Sequence, residues 1–267
     1  MKVAFIGGGT MAEALLGGLL SSEVSVAEEI KIGEPIEARR AFLTQKYNVE
    51  AFADNTQAIT NANLIILAVK PQDLNKITSE LKSSIKPEQT ALSIIAGTKI
   101  PTIMHSLEHS SVIRVMPNTP AQIGCGMSMW TCTPQVDLTT KEVTRAILSS
   151  VGQEIFVEDE KYLDMATALS ASGPAYVFLF IEALIDAGVY VGLPRDISRT
   201  LALQTVYGST QLVLKTGNHP AILKDMVVSP GGTTAEGLQV LESGGLPGTI
   251  VNAVNTAYQK AISLGQQ

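Results

Sequence analysis

"VAFIGGGTMAEALL", Val3 to Leu16, decides the fold. An apolar run of strand character ends in three glycines and passes directly into a helical pattern, which places Gly7, Gly9 and Ala12 in the G-x-G-x-x-A arrangement. The first glycine permits a tight turn, the second lets bare backbone approach a pyrophosphate, and the small third residue lets helix and strand pack closely. An anion held there lies at the positive end of the helix dipole. The motif alone is weak. A strand before it and a helix after it make dinucleotide binding the preferred reading over a tight strand-helix turn with no ligand.

Working outward, "EIKIG", "LIILAV", "ALSII", "VIRVM" and "EIFVE" repeat the pattern of a short apolar run followed by a stretch of helical spacing. That alternation predicts a doubly wound, parallel Rossmann-like α/β sheet. "LIILAV" is apolar on both faces and belongs near its centre. From about Lys161 the strand-like bursts give way to long helical stretches, which divides the chain into a dinucleotide-binding domain, 1–160, and an all-α domain, 161–267, for substrate binding and dimerisation. The first long helix there begins near Pro174 and stops at Gly192 and Pro194. The next runs from a candidate N-cap at Asp196 to a candidate C-cap at Gly217. Apolar residues nearly encircle the first, at Val177, Phe178, Leu179, Phe180, Ile181, Leu184 and Ile185, so it needs a buried setting that a small domain does not supply alone. A homodimer interface is the simplest place for it.

The chain has 267 residues, 45% hydrophobic and 16% charged, with a net charge of -6, which excludes a disordered chain and argues against nucleic acid as a partner. The partners expected are small molecules. Cys125 and Cys132 read as free thiols in a reducing compartment, with no disulfide framework between them. The N-terminal apolar run is broken by glycines and Glu13, so it reads as a first strand and not as a leader, and the longest uncharged stretch, Val115 to Val136, carries Asn, Gln and three prolines. No membrane span and a cytoplasmic location are expected.

The acidic residue at the end of the second strand is Glu34, placed to accept the ribose hydroxyls of NADH. NADPH would require an arginine for its 2′-phosphate, and Arg39 and Arg40 follow close by. A solvated carboxylate at a helix start is the alternative for Glu34. "HSLEH", with His105, Glu108 and His109, has the spacing of one zinc-protease motif. It lacks a third ligand and reads as a surface-exposed pair, so no metal is expected.

"FIGGGTMAEALLGGL", "AVKPQ", "RVMPNTPA", "SGPAYVF" with "DAGVYVGLPR", and "SPGGTTAEGLQVLE" occur in the order and approximate spacing found in pyrroline-5-carboxylate reductases. The chain resembles that family over essentially its whole length. The resemblance implies NAD(P)H-dependent reduction of the cyclic imine 1-pyrroline-5-carboxylate to proline, the last step of proline synthesis. It also implies an interleaved homodimer through the helical domain, often built further into a decamer. Cofactor contacts then fall on Gly7, Gly8, Gly9, Thr10 and Met11, on Asn55, and on Val69, Lys70 and Pro71, with Ala96, Gly97, Met116 and Asn118 near the nicotinamide. Where the family commonly has Asn-Arg after the second strand, this chain has Glu34-Pro35, which tilts the expectation toward NADH.

Hydride transfer to a C=N bond needs no protein nucleophile. It needs a clamp for the substrate carboxylate and a donor near the imine nitrogen. Helix-start amides of Gly231, Gly232 and Thr233 suit the carboxylate, and the resemblance places the Thr234 hydroxyl, as the catalytic donor, near the ring nitrogen, with Val227 and Ser229 lining the same substrate loop. An alternative for these residues is a capping box from Thr233 to Glu236. Two rival functions are a 3-hydroxyacid dehydrogenase and a nucleotide-sensing protein without turnover. The first would need a catalytic lysine in a G-x-x-K setting, which Lys161, Lys215, Lys224 and Lys260 lack. The second would need the first glycine loop but not "SPGGTT".

Overall fold

The computed structural model describes residues 1–265. Its described residues form two compact units, residues 1–172 with 257–265, and residues 173–256.

The first unit is an eight-stranded sheet in the order β3-β2-β1-β4-β5-β6-β7-β8. Its strands are β1 (Val3–Ile6), β2 (Ile30–Gly33), β3 (Glu50–Phe52), β4 (Leu64–Leu67), β5 (Thr90–Ser93), β6 (Val112–Met116), β7 (Gly126–Cys132) and β8 (Gly152–Phe156). Every neighbouring pair is parallel except β6 with β7. The antiparallel pair is possible because β6 returns through a single short 3-10 turn, Thr119–Ile123, and not through a crossover helix. β4 is buried at all four positions, as a strand covered on both faces must be. Helices α1 (Thr10–Ser21), α2 (Glu37–Tyr47), α3 (Asn55–Ile59), α4 (Leu74–Leu81), α5 (Ile100–Leu107) and α6 (Leu138–Ser149) supply the cover. One apolar core, with Phe5, Leu15, Leu16 and Trp130, lies on one face of the sheet, and a second, with Ile6, Ile65, Ile77 and Ile103, lies on the other.

The first unit reaches past Lys161. Helix α7 (Lys161–Ala166) and the π-helical turn Thr167–Ala171 belong to it, because Leu163 and Asp164 are buried there and Arg114 of β6 is ion-paired to Asp164. The C-terminal end of the last helix also packs on this unit: a Cβ on Gly97 would lie 3.0 Å from Cβ of Leu264.

The second unit is helical throughout: α8 (Gly173–Tyr190), α9 (Arg195–Thr216), α10 (Pro220–Val227), α11 (Thr233–Ser243) and most of α12 (Leu246–Leu264). The α8–α9 hairpin closes tightly at Gly188, where an added Cβ would strike Ser198, whose hydroxyl donates to the Ile185 carbonyl at 2.6 Å. α9 is capped at Gly217 in the left-handed conformation (φ +65°). Its N-cap is Pro194 and not Asp196, because Pro194 keeps the extended ψ of 143° and the helix starts at the next residue. α8 buries none of its residues in the single chain; Phe178 is 62% and Leu179 66% exposed. A stripe of that size left in water marks an interaction surface. By length and composition the helical run Lys161–Tyr190 would also pass as a membrane span. It is interrupted by the π turn.

Candidate active site

The aligned carboxyl ends of the parallel strands form one ledge of loops. Strand pairing continues past the regular ends, with Gly7 N–H donating to Gly33 O at 2.8 Å, Ala68 N–H to Ile6 O at 2.8 Å and Ile94 N–H to Leu67 O at 3.1 Å. Strand order reverses at β1, between β2 and β4, and the crevice at such a reversal is where open α/β sheets take their ligands. The structure brings Gly7, Gly8, Gly9, Thr10 and Met11 together there with Glu34, Val69, Lys70 and Pro71, and continues the ledge through Ala96 and Gly97 to Met116 and Asn118.

The glycine loop has the form a dinucleotide needs. Gly7 has φ +94°, and a Cβ there would stand 2.6 Å from the Ala68 carbonyl oxygen, so no other residue fits. A Cβ on Gly8 would stand 2.6 Å from Leu43. A Cβ on Gly9 would meet nothing within 4 Å: the loop is closed toward the sheet and open where a phosphate would sit. Gly9 is the N-cap of α1, with no side chain satisfying the first helical amides. These residues fit a pyrophosphate.

Glu34 is not a solvated carboxylate. It is 7% exposed; its Oε2 accepts the Gly8 N–H and its Oε1 the Ile36 N–H, both at 2.9 Å. It thus ties the glycine loop to the start of α2. Asn55 lies at the start of α3 behind an Asp54 N-cap, with its Nδ2 donating to Glu80 at 3.0 Å. Its Oδ1 is buried without a partner among the described residues, against Gly33. Asn118 is fully engaged: Oδ1 accepts the Met127 N–H at 2.8 Å, and Nδ2 lies 3.3 Å from both the carbonyl and the hydroxyl of Ser170 in the π turn. It braces the ledge at the end of β6, where Met116 is buried.

Two groups were invisible in the sequence. Arg114 lies fully buried in mid-β6 and donates at 2.9 Å to both Glu160 and Asp164. Glu160 Oε1 also accepts the Ile100 N–H at 2.7 Å, so one ion cluster fixes the start of α5, just after Ala96 and Gly97, and α7. The only hint was a lone arginine inside "VIRVM". The second group joins α1 to α2: Glu13 accepts from Arg39 at 2.5 Å, Lys46 at 2.8 Å and the Tyr47 hydroxyl at 2.9 Å. Burial opposes ionisation of Glu13, but the hydrogen bonds from Lys46, Arg39 and Tyr47 outweigh it and bring the carboxyl from 4.5 to about 2. A carboxyl so depressed stabilises the fold above its unfolded value and loses that contribution as pH falls through its folded one. The stability difference between wild type and Glu13→Gln is therefore expected to be constant above pH 4.5 and to vanish toward about 2, as read by urea unfolding at stepped pH. A difference independent of pH would contradict the ionised cluster.

The zinc-like "HSLEH" is no surface pair. His109 is buried, its Nε2 is 2.7 Å from the Gln89 carbonyl, and the chain turns at Glu108 in the left-handed region (φ +50°). The described residues contain no group of three or more metal-ligating side chains.

In the second unit, Val227 ends α10 and is exposed, and Ser229, Gly231 and Gly232 form the turn into α11. Gly231 has φ +68°, and Gly232 N–H donates to Ser229 O at 2.9 Å. The capping box is absent. Gly232, extended at φ -86° and ψ 166°, is the N-cap, which moves Thr233 and Thr234 to the first two helical positions and puts Glu236 beyond the capping distance. No side chain caps the helix, and the Thr234 hydroxyl makes no hydrogen bond among the described residues. An eleven-residue helix thus presents unsatisfied amides beside a free hydroxyl.

Residues 160–264 match the family profile described as pyrroline-5-carboxylate reductase dimerisation, and residues 2–97 match that of NADP oxidoreductase, coenzyme F420-dependent. A pyrroline-5-carboxylate reductase of Synechocystis is 42% identical over 100% of this chain and 99% of its own length. The chain belongs to the pyrroline-5-carboxylate reductase family. The Arabidopsis thaliana reductase is 38% identical over 99% of this chain and 96% of its own. Among solved structures, the Coxiella burnetii pyrroline-5-carboxylate reductase superposes with a TM-score of 0.91 at 33% identity, covering 100% of this chain and 99% of that one. The Plasmodium falciparum reductase, solved with NADP bound, superposes at 0.90 with 34% identity, covering 99% and 98%. The exposed face of α8 lies within the stretch matched by the dimerisation profile.

Proposed function

We propose that this protein reduces 1-pyrroline-5-carboxylate to L-proline with NAD(P)H, as the last step of proline synthesis in the cytoplasm, and does so as a homodimer through its helical unit. Family membership supports the reaction. The observation in the chain itself that carries it is the helix start at Gly231 to Thr234, which has anion-binding amides and a free hydroxyl side by side.

In this reading the ledge from Gly7 to Asn118 holds the coenzyme, and the bound nicotinamide supplies the hydride to the imine carbon. The amides of Gly231 and Thr233, on the turn that the Gly232 N–H closes onto the Ser229 carbonyl and that Val227 also lines, hold the substrate carboxylate and orient the ring. The Thr234 hydroxyl donates a hydrogen bond to the imine nitrogen, which gains the C=N electron pair as hydride adds to the carbon and takes up a proton to become the amine. Neither a metal nor a nucleophile is required. A 3-hydroxyacid dehydrogenase would need a lysine in a G-x-x-K setting, which Lys161, Lys215, Lys224 and Lys260 all lack. The carboxylate clamp is tested with 1-pyrroline, which lacks the carboxylate: kcat/KM is expected to fall by roughly a thousandfold, since binding energy from a non-reacting group is used to orient the reacting one. Equal kcat/KM for the two imines would reject the clamp.

For the coenzyme, we infer a preference for NADH. Glu34 occupies the position that meets the adenosine ribose, and a 2′-phosphate would meet its charge in a nearly water-free setting. The wild-type protein is expected to show a kcat/KM for NADH roughly tenfold above that for NADPH, about 1.4 kcal/mol of discrimination. An NADPH advantage in side-by-side kinetics would overturn this assignment.

A further inference from the structure

The cations beside the end of β2 are all engaged. Arg39 Nε donates to the Gly8 carbonyl at 2.5 Å while its Nη2 donates to Glu13. Lys46 Nζ lies 2.8 Å from the other Glu13 oxygen, and Arg40 Nη1 donates to the carbonyls of Glu34 and Pro35 at 2.8 Å each. Gly8 joins this cluster to the coenzyme ledge, because its N–H donates to Glu34 Oε2 and its carbonyl receives Arg39. A single residue, Gly8, therefore links the Arg39 guanidinium to the carboxylate proposed to meet the ribose.

A 2′-phosphate carries between one and two negative charges near neutral pH, and its recognition calls for an arginine free to offer its fork of donors. Arg39 is close enough to serve and is held elsewhere. We propose that Glu13 is a coenzyme-selecting residue: by holding Arg39 and Lys46 against α1, it withholds the counter-charge that a 2′-phosphate needs. Discrimination is then shared by two carboxylates, Glu34 at the ribose and Glu13 behind the glycine loop. This deepens the NADH assignment above and rests on it.

A purely architectural role for Glu13, bracing α1 against α2, makes a different prediction. The cluster is partly exposed, with Glu13 and Arg39 side chains at 20% and 26%, so solvent screens the stability it adds. Loss of a brace would weaken binding of every adenine nucleotide alike, whereas release of Arg39 favours the one carrying a 2′-phosphate.

The test is calorimetric titration of the full-length wild type, Glu13→Gln and the double variant Glu13→Gln/Arg39→Gln with 2′,5′-ADP and with 5′-AMP. Glu13→Gln is expected to tighten 2′,5′-ADP about tenfold while changing 5′-AMP by less than about twofold, with the gain lost in the double variant and reduced at high salt. Glu13→Ser serves as a second single variant should Glu13→Gln unfold, with the same expected ratio. An unchanged ratio of the two affinities, or a gain that survives removal of Arg39, overturns the role of Glu13. The NADH assignment is judged separately on the wild type: tighter binding of 2′,5′-ADP than of 5′-AMP counts against Glu34, while Glu13 stands or falls on the change in ratio alone.

Discussion

Thr234→Ala is expected to lower kcat for pyrroline-5-carboxylate by about a hundredfold, the low end of what a positioned proton donor contributes, with little change in melting temperature. The stability half of the expectation follows from the structure: Thr234 sits at the second position of α11, with its hydroxyl free of intramolecular partners, so Ala removes no bond that holds the helix. The activity half follows from chemistry. Reduction of an imine converts its nitrogen to an amine, and a donor aimed at that atom is worth more in the transition state than in the bound substrate, so kcat should fall more than KM rises. Thr234→Ser, which keeps the hydroxyl, should recover most of the loss. Wild-type kcat in the alanine variant would remove Thr234 from the reaction and leave the amides of Gly231 and Thr233 as a binding site only.

The largest effect on stability is expected at Arg114. Arg114→Ala leaves Glu160 and Asp164 facing a buried hole without their counter-charge, and breaking one partner of a buried ion cluster costs about 3–5 kcal/mol. For a unit of this size that is a fall in melting temperature on the order of 10 °C. Arg114 Nε has no partner among the described residues, so the cluster is already imperfectly satisfied. The triple variant Arg114→Met/Glu160→Gln/Asp164→Asn should therefore recover much of the lost stability, because it removes the charges together. If Arg114→Ala melted within a degree or two of wild type, the cluster would not hold α5 and α7 in place. The same variant should raise KM for the coenzyme, since α5 starts at Ile100, three residues past Gly97.

How much of this was legible in the residues depends on how local each feature is. Gly7, Gly9 and Ala12 were readable because strand, turn and helix lie within fourteen consecutive residues and each position has a steric reason. Glu34 was readable as the acidic residue closing β2, but not as the partner of Gly8 N–H, a contact made across the turn by the fold itself. The Arg114 cluster joins residues 46 and 50 positions apart, and no periodicity reports a pairing at that range. The same holds for the division of the chain: the change from strand to helix near Lys161 is real, yet α7 remains with the sheet because Asp164 is paired with Arg114, and the last helix returns to Gly97. At α11 a familiar signature misled. Thr233 and Glu236 have capping-box spacing, but the extended Gly232 takes the cap position one residue earlier and leaves the helix start open, which is the property the proposed substrate site requires. α8 was read as buried; in the single chain it is exposed, and its burial awaits the partner subunit that the dimerisation profile points to.

The most direct test of the proposed reaction is to mix the wild-type protein with NADH and 1-pyrroline-5-carboxylate, follow coenzyme absorbance and quantify L-proline, with a 3-hydroxyacid and NAD+ as the control. The expected result is one NADH oxidised for each L-proline formed and no coenzyme reduction in the control. Oxidation of the hydroxyacid, or coenzyme left unchanged by the imine with NADH and with NADPH alike, would contradict the assignment.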